Sequence, residues 1–123
     1  MTPIIDHIGL NVSDFDRAKT FFSAALQPLG IRVVKEYPNA AGFGRDSPDF
    51  WIAAGEPKTT PVHFAFKADT RADVDAFYSA AIAAGGKDNG PPGIRPHYHP
   101  NYYGAFVFDP DGHNIEAVCH CPE

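Results

Sequence analysis

The sequence predicts an α+β fold built from two tandem modules, each a strand, a helix and three further strands. Three observations predict it. First, FFSAAL at residues 21–26 returns as FYSAAI at residues 77–82, and the same 56-residue register pairs His7 with His63 and Gly30 with Gly86. A register kept across a strand, a helix and a helix stop marks a repeated module. Second, the apolar period inside each copy is helical, and it is flanked by segments whose period is two. Third, glycine and proline recur between these segments and mark sharp turns. The reading is one domain over residues 1–123, with modules at about 1–56 and 57–123.

In the first module IIDHIGLNV alternates as a strand does. Ala18, Phe21, Phe22, Ala25, Leu26 and Leu29 then keep helical spacing. Ser13 with Asp16 reads as the capping pair at the start of that helix, and Gly30 as its stop. IRVVKEY, AAGFG and DFWIA read as three short strands. In the second module VHFAFKA is the strand, and Val74, Phe77, Tyr78, Ala81 and Ile82 form the helix. That helix lies between a Thr70–Asp73 capping pair and Gly85–Gly86. A proline-rich segment, YYGAFVFD, the tight turn DPDG and NIEAVCH complete the module. Relative to the first half, NGPPGIRPHYHPNYY at 89–103 is an insertion with four prolines, two histidines and three tyrosines. It reads as a stiff substrate cover, with an ordinary ordered connection as the alternative.

The composition narrows the partners. A net charge of −5 argues against nucleic acid, whose phosphates demand clustered Lys and Arg. No apolar run reaches the ~20 residues that a membrane span needs, and MTPIIDHIGL lacks the pattern of a signal peptide. A bridge between Cys119 and Cys121 would close almost no loop, so they read as free thiols in a reducing cytoplasm.

Strand alternation decides where the histidines point. Ile8, Leu10 and Val12 share one face, and His7, Gly9 and Asn11 the other. Phe64, Phe66 and Ala68 oppose His63, Ala65 and Lys67, while Ile115, Ala117 and Cys119 oppose Asn114, Glu116 and Val118. The more apolar faces belong against the helices, which leaves His7, His63 and Glu116 on the other side. A rotation relating the modules would bring both histidines toward a common axis. Two imidazoles and one carboxylate suit a divalent transition metal with open positions, and such an ion acts as a Lewis acid or, if iron, binds dioxygen. A lone strand histidine is more often hydrogen-bonded scaffolding; two in equivalent repeat positions, with an acid facing the same way, favour the metal reading.

Paired modules of this kind, a histidine opening the first strand of each, DHIGLNVSDFDRAKTFF and DPDGHNIEAV together resemble the vicinal oxygen chelate superfamily. That superfamily includes glyoxalase I, extradiol dioxygenases, and fosfomycin and bleomycin resistance proteins. The resemblance covers nearly the whole chain. It implies a cup-shaped mixed sheet with the helices outside, and one divalent metal ion (zinc, nickel, manganese or iron) held by His7, His63 and Glu116. It also implies a homodimer. One position departs: glyoxalase I takes a fourth ligand, a carboxylate, from the last strand of the first module, where this chain has Trp51.

The insertion supplies further candidates. His97 and His99 would be a general base beside the metal or a second metal site, and Tyr102 a further catalytic group. Arg95 would bind a carboxylate, with Tyr98, Tyr103 and Trp51 also contacting substrate. His113, Asp109 and Asp111 read as parts of the DPDG turn that bond their own backbone. Cys119-His120-Cys121 has the composition of a soft metal site but reads as a frayed tail. The leading function is a metal-dependent, glyoxalase-like lyase or isomerase acting on a small molecule that chelates through adjacent oxygens. An extradiol ring-cleaving dioxygenase and a non-catalytic, ligand-sequestering protein are the alternatives.

Overall fold

A computed structural model describes residues 5–56 and 60–122. The element order is β1 (Ile8–Val12), α1 (Phe15–Leu26), a 3₁₀ turn (Gln27–Leu29), β2 (Arg32–Tyr37), β3 (Ala40–Gly44) and β4 (Phe50–Ala54), followed by β5 (His63–Lys67), α2 (Arg71–Ala83), β6 (Lys87–Ile94), β7 (Tyr103–Phe108) and β8 (Asn114–Cys119). Each half is therefore strand, helix and three strands, as the repeat predicts. Each forms its own four-stranded mixed sheet, in the orders β1-β4-β3-β2 and β5-β8-β7-β6. The first and last strands of each half pair in parallel, and the other pairings are antiparallel.

The helices form where the apolar period put them. Ala18, Phe21, Phe22, Ala25 and Leu26 are the buried side of α1, and Val74, Phe77 and Ala81 that of α2. The Thr70 hydroxyl caps α2 by accepting the Asp73 amide at 3.1 Å. At the other end the Gly85 and Gly86 amides reach back to the Ile82 and Ala81 carbonyls, a Schellman stop with Gly85 at φ 101°. The cap of α1 corrects the sequence reading. Asp14, not Ser13, accepts the Arg17 amide at 3.1 Å. The Ser13 hydroxyl bonds instead to Asp111 in the DPDG turn, whose carboxylate also accepts the Ser13 amide at 3.3 Å. Asp109 does bond its own turn, accepting the Asp111 and His113 amides at 3.0 and 2.8 Å.

The insertion is part strand and part loop. Residues 89–94 belong to β6, an edge strand, where Pro91 and Pro92 need no partner for a missing N–H. Its pairing with β7 shifts register twice, between Asp88 and Gly90 and again between Gly90 and Gly93. The loop proper is 95–102, two successive turns closed by Tyr98 N–H to Arg95 C=O and Tyr102 N–H to His99 C=O. Pro96 and Pro100 occupy the second position of each, where a fixed φ pre-forms the turn.

One apolar core runs through both halves. The Phe22 ring sits 5.0 Å from those of Phe21 and Phe50, and Phe50 stands edge-on to Phe64 and Phe66 across the module junction. Truncating a fully buried ring such as Phe22 to alanine costs about 3–5 kcal/mol. The helices pack on one another and on the faces of the sheets that carry these rings. No strand pairing joins the two sheets among the described residues. None of the described helices is long and apolar enough to cross a membrane.

Candidate functional site

Register fixes the polar face of the second sheet. Ala65 pairs with Glu116 on β8, and Glu116 with Phe106 on β7. The Glu116 side chain is only 1% exposed, so its carboxylate needs partners. It has two. His63 Nε2 lies 2.9 Å from Oε1, and the Tyr102 hydroxyl donates to Oε2. Burial first, then the bond to Glu116, pushes the Tyr102 phenol well above the usual tyrosine range, so it remains a donor. Gly104 makes this approach possible: a Cβ there would meet Glu116 Oε2 and Tyr102 Cε1, each at 3.2 Å.

The loop extends the arrangement outward. His99 Nε2 is 2.7 Å from His120 Nδ1, and both rings stand edge-on to Tyr102 at 5.4 Å. Tyr98 lies against Tyr102 at 4.8 Å, and His97 against Tyr98 at 4.3 Å. The Arg95 guanidinium lies over Phe106, and Phe106 in turn faces His63. His63, Glu116, Tyr102, His99, Tyr98, His97 and Arg95 thus form one continuous surface. Tyr103 does not join it. It lies on the helix face of β7, where its hydroxyl donates to Asp75 at 2.6 Å. Phe106 escapes the sequence reading, and His120 reads there only as part of a frayed tail, although two-residue alternation from Glu116 through Val118 leads to it.

The first sheet carries the remaining candidates. His7 precedes β1 and is exposed, its Nδ1 2.8 Å from the Asp6 carboxylate. A carboxylate there favours the tautomer that leaves the lone pair on Nε2, an arrangement common behind metal-binding histidines. His7, Gly9, Asp49 and Trp51 border a cleft of about 590 Å³. Gly9 pairs with Trp51 as Ala65 pairs with Glu116, so Trp51 holds the register position of the carboxylate. Its indole stacks on Tyr37, with ring centres 6.1 Å apart.

Among the described residues, no three of His, Cys, Asp and Glu gather closely enough to hold a metal ion. The repeat makes His7 and His63 equivalent without bringing them together, because each stands on the open face of its own sheet.

The family model described as glyoxalase/bleomycin resistance protein/dioxygenase superfamily matches residues 4–117. The chain belongs to that superfamily. A glyoxalase/bleomycin resistance protein from Albidiferax ferrireducens T118 superposes with a TM-score of 0.82 at 30% identity, covering 97% of this chain and 100% of its own. The fold is shared more distantly with a glyoxalase-related enzyme from Fulvimarina pelagi (19% identity, TM-score 0.73, covering 97% and 88%). It is shared likewise with a lactoylglutathione lyase from Agrobacterium tumefaciens (20% identity, TM-score 0.67, covering 97% and 94%). No curated protein sequence matches the chain.

Proposed function

We propose that this superfamily member is a metal-dependent, glyoxalase-like lyase or isomerase, active as a homodimer on a small substrate with two adjacent oxygens. The buried Glu116 carboxylate carries the reading, with an imidazole on one oxygen and a phenol on the other. His63 and Glu116 supply two ligands in one place, and the fit is completed by His7 from a second copy. A divalent ion so held (zinc, nickel, manganese or iron) would polarise the substrate oxygens as a Lewis acid. Tyr102 keeps one Glu116 oxygen anchored and oriented. His99, steadied by His120, is placed to move a proton at the mouth of the site, and His97 lies farther out along the same surface. Arg95 offers a cation to an anionic substrate group, and Tyr98 a flat wall. The free thiols suit a reducing compartment such as the cytoplasm.

Trp51 favours a second reading. It puts a stacked aromatic pair where a fourth ligand would stand, and such a wall suits a protein that sequesters a planar ligand without turnover. Metal content separates the two without knowledge of the substrate. Wild type reconstituted with each of the four metals should retain one ion per chain, and His7→Ala and Glu116→Gln should each retain none. Unfolded together and refolded as a mixture, the two variants should regain about a quarter of the sites, since half the dimers are mixed and each has one intact site. Failure of the mixture to regain metal sinks the shared site. A wild type that retains none of the four metals leaves sequestration standing.

A further inference from the structure

The C-terminal Cys119-His120-Cys121 is not a frayed tail. Cys119 ends β8 and is buried, with its side chain on the helix face, while His120 joins the opposite face beside His99. After β8 the chain bends, and the Cys121 amide turns back to Cys119 Sγ at 3.4 Å. Both sulfurs converge on one main-chain oxygen: Asp69 C=O lies 3.6 Å from Cys119 Sγ and 3.7 Å from Cys121 Sγ. A hydrogen bond between the two thiols is the leading cause that holds the Cys121 thiol above its ordinary value. Neither sulfur is in a disulfide.

Thiols are weak hydrogen-bond donors, so two of them on one carbonyl gain little as a structural device. As thiolates they are soft ligands, and a pair of sulfurs in one place selects a soft ion of low coordination number. Two protein side chains suffice for such an ion. A cleft of about 330 Å³ lies between the tail and Asp69, Thr70 and Arg71, and Cys121 is exposed at it, which gives an ion a path in. The bis-thiolate complex of a monovalent cation carries one negative charge. It would sit beside the first turn of the 13-residue α2, where the helix dipole favours an anion.

We propose that Cys119 and Cys121 form a site for monovalent copper, separate from the His63–Glu116 centre. Binding releases both thiol protons and forms two copper–sulfur bonds, with no change of oxidation state. The Asp69 carbonyl loses only weak S–H donors.

The test titrates the full chain, without oxygen, against monovalent copper held by a coloured chelator. Wild type should withdraw one equivalent per chain, and X-ray absorption should show two sulfur neighbours. Cys121→Ser, at an exposed position, should weaken binding by more than about a hundredfold, since even outer-shell changes at metal sites cost up to that much. Cys119→Ser should do the same, with circular dichroism checking that this buried change leaves the fold intact. His120→Ala and the double variant His63→Ala/Glu116→Gln should bind as wild type does. A wild type that takes no copper from the chelator overturns the proposal. So does a Cys121→Ser protein that takes as much as wild type, or binding lost in His120→Ala.

Discussion

The Tyr102 hydroxyl donates its proton to the carboxylate of Glu116, a residue almost wholly withdrawn from water. The bond ties the proline-led loop to the centre of the second sheet. Replacing Tyr102 with phenylalanine leaves Oε2 without that donor, at a cost of about 1–3 kcal/mol for a buried acceptor. The phenol itself should betray its setting. In an alkaline titration followed by tyrosinate absorbance, wild type should show one more phenol ionising well above the usual range than Tyr102→Phe does, since Tyr78 is also raised in both. Identical high-pH limbs in the two proteins would refute the assignment.

Gly104 is expected to be intolerant for reasons of the site, not of the fold. An alanine methyl would press on Glu116 and Tyr102 at 3.2 Å, and both must shift by a few tenths of an ångström. Gly104→Ala should therefore melt close to wild type yet hold metal about 10–100-fold more weakly. Equal affinity in the two proteins would show that the cluster has slack.

Asp109 gives a pH signature with a definite sign. Burial pushes its carboxyl above the ordinary value, outweighing the hydrogen bonds and the charge of His113 that pull the other way. The folded chain thus holds this proton more tightly than the unfolded one. Stability from it is fully present below the unfolded value and is lost as pH rises through the folded value. Asn keeps the oxygen that accepts the Asp111 and His113 amides. Asp109→Asn should consequently fall less in stability than wild type as pH climbs above about 4. Urea midpoints across that range would show it, and parallel curves would exclude it.

The start of α1 separates two roles that adjacent residues could exchange. Asp14→Ala should cost about 1 kcal/mol through loss of the cap. Ser13→Ala should leave helix content intact but raise amide exchange around the DPDG turn, since it cuts the hydroxyl link to Asp111. A helix that frays equally in both variants would mean that Ser13 shares the cap.

What the sequence reveals and what it hides follow physical lines. Two-residue alternation assigns faces correctly for His63, Glu116 and the core side of β5, because a half-buried strand must sort its side chains. It cannot say how two such faces lie relative to each other, and so whether His7 meets His63 within one chain or across two copies is not legible in it. Ser13 and Asp14 are both good caps, and a bond formed 98 positions away decides between them. Pro91 and Pro92 argue against a strand until the edge position of β6 is known. His120 lay hidden because a chain end looks frayed unless a loop from elsewhere folds over it.

Among the described residues, every strand pairing stays inside one half of the molecule or the other. The junction is made of side chains: Phe50 against Phe64 and Phe66, Ser13 on Asp111, and Arg45 reaching the Lys67 carbonyl at 3.0 Å. Parting the halves would thus expose apolar surface while leaving every strand ladder whole. A polypeptide severed between them should behave as a split protein, its two fragments reassociating through shape and oil-like contact, with no sheet to knit anew.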